Sequence, residues 1–414
     1  MRTAAVLKHK NTDIALLDIN SAGLLAVHYL DENAYKHSPF LKKMDLEECQ
    51  TWWNLRAIPN SRPDLKEILR SANCDSAQQY LLKNLALSLS DCYWVCPLNV
   101  ELSWEQVNPY INETDLTFLV EDNNKFTNNP HASLGGEMKK KSYKEDSVWY
   151  LKKESPHSTQ CINEGLASWI NELQGFPNYT PYTLNHDEDG FASSCTCKFF
   201  TDENTEYITM LALSFLTKKR NDVSPYEHIV QACTSLGLNE SEVRRQLDYQ
   251  TMLDFIISNT DRHYQNFGIL RNPDTLEVIS MAPIFDNGNS MFFDEYKGKI
   301  PQYSAKKILE IPTNGIVKYE EKMLSYITDK SALDVAKLPS KEEVKDFYLK
   351  NKGLLEEYAT NLAENYQKKV TMLSQFQKGI SVTARSVTNW NDFVNKEPQK
   401  QKTAEEPNNG ILLD

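Results

Sequence analysis

The chain has 414 residues, 40% hydrophobic and 25% charged, a composition that supports two or three globular units with a sizeable core. Its 45 basic and 57 acidic side chains leave a net charge of −12, which argues against a broad grip on a nucleic-acid backbone. No apolar run approaches the roughly 18 residues of a membrane-spanning helix, and the opening MRTAAVLKHK lacks the apolar block of a secretory signal.

The expectation is therefore a cytoplasmic protein with no membrane and no direct nucleic-acid partner. The cysteines agree, since eight in this length are too sparse for a disulfide scaffold. Cys92 and Cys96, like Cys195 and Cys197, lack a second pair at zinc spacing. Cys195 and Cys197 read as buried thiols on one face of a strand.

In chain order, apolar runs at residues 4–7, 14–17 and 24–27 are separated by polar turns and predict an antiparallel meander. Helical patterns at 45–55 and 76–89 follow, with Trp52, Trp53, Leu81, Leu82 and Leu85 on their apolar faces. Residues 1–118 read as an N-terminal α/β subdomain. A turn-rich, lysine-bearing stretch at 128–156 ends in a strand at 148–153. The next helix, capped by Ser158 or Thr159, carries Ile162, Leu166, Trp169, Ile170 and Leu173 and closes at Gly175. Phe199 with Phe200, and residues 207–216, read as further strands, making 119–216 a strand-rich lobe.

Beyond it the pattern turns helical. Ser224-Pro225 opens a helix that Gly237 ends, and Asn239 with Glu242 predicts a capping box for the next. Ser340 with Glu343 opens another, and a further helix runs from 354 to about 375. Residues 217–385 form a helical lobe. From 386 to 414 the chain is polar and is expected to be a disordered tail.

The chemistry concentrates in Asn259-Thr260-Asp261-Arg262-His263-Tyr264-Gln265-Asn266-Phe267-Gly268, a predicted loop after an apolar helix. Phosphoryl transfer needs a carboxylate to orient the acceptor hydroxyl and oxygen ligands for Mg²⁺ beside the phosphates. Asp261 and Asn266, five apart on one loop, can meet both needs. The apolar run 267–270, the turn Asn272-Pro273-Asp274 and a second run at 276–285 predict a hairpin. Its return would bring Asp286, followed by Asn287-Gly288, next to Asn266. Each residue alone also suits a cap or a turn; their combination, in this order, points to a kinase site.

Asp261-Arg262-His263-x-x-Asn266 followed by Ile284-Phe285-Asp286-Asn287-Gly288 resembles the catalytic and metal-binding motifs of HipA-type protein kinases, across residues 133–288. The resemblance implies an α+β, two-lobed protein kinase-like fold, with a strand-rich N-lobe, a helical C-lobe and the N-terminal subdomain capping the small lobe. By it Asp261 is the catalytic base, Asn266 and Asp286 hold the metal, and Asp-Asn-Gly stands where eukaryotic kinases have Asp-Phe-Gly. Arg262 and His263 read as loop scaffolding.

The resemblance also calls for a phosphate-contacting lysine and an acidic partner on a helix. Lys152 and Lys153 point to opposite faces of their strand; similarity to the family favours Lys153, with Glu164 as the partner. Ser133-Leu134-Gly135-Gly136-Glu137-Met138-Lys139-Lys140 offers two glycines whose backbone can approach phosphate. It resembles the family's Ser-x-x-Gly-x-x-x-Lys loop at Ser133, Gly136 and Lys140, which makes Ser133 the candidate for autophosphorylation. A hinge at residues 206–210 would offer backbone groups to adenine, with Glu206 and Ile208 among the contacts and Met210 or Ile208 on the base.

The functional expectation is thus an ATP- and Mg²⁺-dependent HipA-like serine/threonine protein kinase, as in toxin–antitoxin systems, acting on a protein and pairing with a small DNA-binding antitoxin. One alternative is a lipid or small-molecule kinase, disfavoured by the charge of −12 and the lack of a basic amphipathic segment. Another is a nucleotide-binding regulatory partner of the antitoxin, for which the five-residue set of Lys153, Glu164, Asp261, Asn266 and Asp286 has no physical need.

Overall fold

The computed structural model describes residues 2–31, 34–119, 125–155, 159–216, 220–293 and 299–397. The chain opens with the expected meander of β1 (Arg2–His9), β2 (Thr12–Asn20) and β3 (Gly23–Tyr29). Helices α1 (Leu46–Arg56), α2 (Leu65–Ser71) and α3 (Ala77–Lys83) follow, then β4 (Tyr93–Pro97), α4 (Trp104–Val107) and the small hairpin β5 (Thr117–Leu119) and β6 (Lys125–Thr127). β4 joins the far edge of β1, giving an antiparallel sheet of order β3-β2-β1-β4. Asp45 and Glu48 form a complete capping box on α1. The helix expected at 76–89 stops at Lys83, because Leu85 and Ala86 adopt left-handed backbone with φ of 53° and 50°.

The second sheet contains β7 (Lys139–Glu145), β8 (Val148–Glu154), β9 (Tyr182–His186) and β10 (Ala192–Lys198), in the order β7-β8-β10-β9. Asp146 and Ser147, at φ 47° and 64°, make the tight turn between β7 and β8. Helix α5 (Gln160–Gln174) crosses from β8 to β9. Its N-cap residue is Thr159, whose side chain makes no capping bond; Ser158 lies outside the described residues. Phe199 and Phe200 are not a strand but the start of the connection out of this sheet. The strand expected at 207–216 is shorter: β11 (Glu206–Thr209) gives way to α6 (Met210–Ser214), capped by the Thr209 hydroxyl accepting from the Ala212 amide at 3.1 Å.

The remaining elements are α7 (Pro225–Ser235), α8 (Glu240–Ile256), β12 (Gly268–Arg271), β13 (Val278–Met281), α9 (Ala305–Leu309), α10 (Lys341–Leu349), α11 (Glu356–Gln377) and α12 (Trp390–Val394). β12 and β13 form the expected hairpin, and β11 pairs with β12 in a three-stranded sheet. Ser340 and Glu343 close a full capping box on α10, whereas Asn239 caps α8 from one side only, accepting from Ser241 and Glu242. The tail does not begin at 386. Val387 and Phe393 are buried, and the Gln375 amide donates to the Phe393 carbonyl at 2.9 Å, pinning α12 to α11. A few apolar anchors in a polar stretch suffice to order it; residues 398–414 lie outside the described residues.

A strand-rich part and a helical part thus enclose a cleft in a mixed α/β, two-part arrangement. One apolar core runs from the first sheet through Ile208 and Met210 into α7, the first half of α8, Phe267, Ile269 and Met281. The other joins α5, the second half of α8, α10 and α11. Spanning both cores, α8 buries polar Gln246, Asp248, Gln250 and Asp254 as well as its apolar residues. Among the described residues no helix is long and apolar enough to cross a membrane.

Candidate active site

Strand register decides between the two lysines. Lys153 lies opposite Lys140 of β7 and Cys195 of β10, while Lys152 faces the other way, 3.9 Å from Glu154. Lys153 is only 1% exposed. Its Nζ donates to Glu164 Oε1 and to Asp286 Oδ1, each at 2.5 Å. The second Glu164 oxygen accepts from the Asn287 amide at 2.8 Å, so one helix residue holds both the lysine and the backbone after Asp286.

These charges stabilise one another. Burial works against the Lys153 ammonium, but Asp286 and Glu164 more than offset it and lift its pKa well above the ordinary value. Burial alone would raise the Asp286 carboxyl; Lys153 and then Lys140 outweigh it and hold the group well below the usual carboxylate range. Lys140 is pulled below its ordinary value by burial, which Asp286 opposes and which Lys153 and Arg62 reinforce. Asp286 keeps φ at 57°, a strained left-handed conformation for a residue with a side chain.

The predicted loop packs against the segment that follows Asp286, the Thr260 amide donating to the Asn289 carbonyl at 3.2 Å. The Asp261 carboxylate accepts from Asn289 at 2.8 Å and from Asn314 at 3.0 Å, which fixes its direction without adding a charge. Asn266 donates its side-chain nitrogen to the Asp261 carbonyl at 3.0 Å, turning its amide oxygen away from that bond. Arg262 is the weld between loop and hairpin. It pairs with both Asp254 oxygens, at 3.0 and 2.9 Å, and donates to the Asn266 and Phe285 carbonyls and to Asn287 Oδ1. This bonding brings Asn266 and Asp286, twenty residues apart, to one end of the cleft.

The cleft encloses about 560 Å³, and Ser133, Gly135, Gly136, Lys140, Asp261, Asn266 and Asp286 all line it. Lys153 and Glu164 do not; they stand just behind the wall, the lysine reaching it through Asp286. Ser133 closes a short 3₁₀ turn, its hydroxyl donating to the Pro130 carbonyl at 2.9 Å.

Two other expected contacts fail. Glu206 and Ile208 do not reach the cleft. Glu206 is fully buried against His9 and Arg271, and Ile208, like Met210, belongs to the apolar core. β11 is offset by one residue from that reading, so Tyr207, Thr209 and Leu211 face the cleft instead. The connection that leaves β10 also lines it, through Phe199, Phe200 and Thr201. The apolar Phe199-Phe200 pair beside turn residues was the available signal for that connection. Arg62, Asn289 and Asn314 carried none.

Among the described residues no three or more His, Cys, Asp or Glu side chains gather as a metal cluster. Mg²⁺ does not require one, because it is commonly held by one or two side chains together with substrate phosphates. An ionised Asp286 carboxylate, 29% exposed, and an amide oxygen on Asn266 are hard donors of the kind it takes.

No protein-family model matches the chain, and no curated protein matches it. Among solved structures it is similar to one described as the Helicobacter pylori proinflammatory kinase CtkA. The identity is 17%, the match covers 58% of this chain and 95% of that one, and the TM-score is 0.40. A likeness of that degree assigns neither activity nor substrate, which rest on the geometry of the cleft.

Proposed function

We propose that the protein is an ATP- and Mg²⁺-dependent, HipA-like protein kinase that transfers the γ-phosphoryl group to a Ser or Thr hydroxyl. The observation that carries this reading is the Lys153 bridge between Glu164 and Asp286 at the wall of a cleft that Asp261 and Asn266 also line. Lys140 and Lys153 lie opposite one another at this wall, with the glycines beside them, and Glu164 and Asp286 meet Lys153 there. A polyanion with a flat base suits such a cleft, which is lined by Lys140, Gly135 and Gly136 and also by Phe199, Phe200 and Tyr207.

The roles follow from position. Asp261, held by two asparagine amides, orients the acceptor hydroxyl and takes its proton. Lys153 supplies charge at the wall, and Glu164 fixes the lysine and the Asn287 backbone together. Bound Mg²⁺, held by Asn266 and Asp286, would neutralise phosphate oxygens. Ser133 is the autophosphorylation candidate, since it lines the same cleft beside Gly135 and Gly136 and a charge of about −2 there would compete with bound triphosphate. A protein substrate and a small DNA-binding partner complete the reading.

Incubation with Mg²⁺ and γ-³²P-labelled ATP tests it. The wild-type chain is expected to label itself or an added protein, and Asp261→Ala and Asp286→Ala are each expected to abolish the label. Wild-type labelling rates in either variant would overturn these roles. Transfer to lipid vesicles in place of protein would replace the acceptor class.

A further inference from the structure

The α1–α2 connection carries Arg62, which is 4% exposed although it lies about seventy residues before the phosphate loop. Its Nε donates to Asp64 Oδ1 at 2.8 Å, and Asp64 Oδ2 lies 3.4 Å from Nη2, which orients the guanidinium plane. The free edge of the fork then reaches the segment that leads into β7. Nη1 donates to the Leu134 carbonyl at 2.7 Å, and Nη2 donates to the Lys140 carbonyl at 2.9 Å. Gly135 and Gly136 lie between those two carbonyls, with Gly136 at φ +87° and the Lys140 ammonium folded into the space where a Cβ on Gly136 would sit.

We infer that Arg62 is a positioning residue of the phosphate loop, hooking both ends of the 134–140 segment so that its glycine backbone is held in shape before nucleotide arrives. The inference rests on the kinase reading of this cleft and extends the site into the N-terminal segment. A glycine-rich segment loses much backbone freedom when ordered, and a loop ordered in advance binds with less entropic cost. Only guanidinium has the geometry: one edge occupied by a carboxylate, and two further donors spread widely enough for carbonyls six residues apart. A lysine at the same place keeps the charge but cannot span both. Arg62 touches no proposed reacting atom, so its effect is on the loop and on nucleotide affinity.

Two measurements on the full chain test this. Calorimetric titration with MgATP reads affinity, and hydrogen exchange of residues 134–140 without nucleotide reads loop order. Arg62→Ala is expected to weaken MgATP binding about tenfold and to speed loop exchange about tenfold, with exchange in α11 unchanged. Arg62→Lys, which serves if the alanine variant fails to fold, is expected to show the same two effects. If the wild type binds MgATP and Arg62→Lys binds it equally well, or if loop exchange does not change, the hook is overturned while the site stands. If the wild type binds no MgATP, the phosphate-loop reading itself falls and takes this role with it.

Discussion

Lys153 holds two carboxylates together in a place water barely reaches, and removing it should expose how much of the site is electrostatic. Lys153→Met leaves Glu164 and Asp286 without their shared cation, and breaking a buried pair from one side costs about 3–5 kcal/mol. Urea unfolding of Lys153→Met should show that loss, and Lys153→Met combined with Glu164→Gln should recover part of it. A neutral single variant would mean that the two acids are hydrated or protonated.

A second buried cluster predicts an acid limb. Burial by itself would raise the Glu206 carboxyl, but His9 and Arg271 lower it from its ordinary 4.5 to about 2. A carboxyl depressed on folding stabilises the folded state fully above its unfolded pKa, and that contribution is lost as pH falls from 4.5 toward 2. Glu206→Gln should therefore melt lower at neutral pH yet lose less stability between about pH 6 and about pH 3. Parallel melting curves for the two proteins would contradict the pairing. Glu206 also marks where residue-level reading stops. Asp261, Asn266 and Asp286 stood out by chemical type and spacing. β11, however, is buried on both faces and shows no polar alternation to reveal which side chains meet the cleft.

At the scale of elements, the β12–β13 hairpin does the positioning. Gly268 starts it opposite Thr209, and a Cβ there would run into the Ile208 carbonyl, a backbone atom that cannot swing aside. Gly268→Ala should cost about 1–3 kcal/mol, read as a lowered melting temperature, because β11 and β12 must part to admit the methyl. An unchanged melting temperature would mean the pairing is looser than its register implies. Apolar runs around the Asn272-Pro273-Asp274 turn made this hairpin legible. Elements that end without glycine or proline were not: α3 stops where Leu85 and Ala86 turn left-handed, and β11 becomes α6 with only Thr209 to cap it. α12 was hidden for the opposite reason, since three apolar anchors are diluted by polar neighbours.

Across the whole molecule, the N-terminal sheet is not set apart from the cleft it adjoins. Its core continues into α7 and α8, Arg271 of the hairpin donates to the Tyr93 hydroxyl at 2.9 Å, and Phe40 and Trp52 line the cleft. Contacts of this length in sequence have no local signature, so the sequence shows the halves and the structure shows how they close on each other. The buried Glu320 pairs with Lys369 of α11 and accepts from the Ser258 hydroxyl at 3.4 Å, which ties α11 to the backbone just before the Asp261 loop.

The central claim is that this cleft binds nucleotide through a divalent cation at Asp286. Calorimetric titration of ATP with Mg²⁺ into the wild-type chain should give saturable binding, weakened at least about tenfold by Asp286→Asn and equally by EDTA. Wild-type protein that takes up no ATP, or binding indifferent to both the substitution and the chelator, would contradict it.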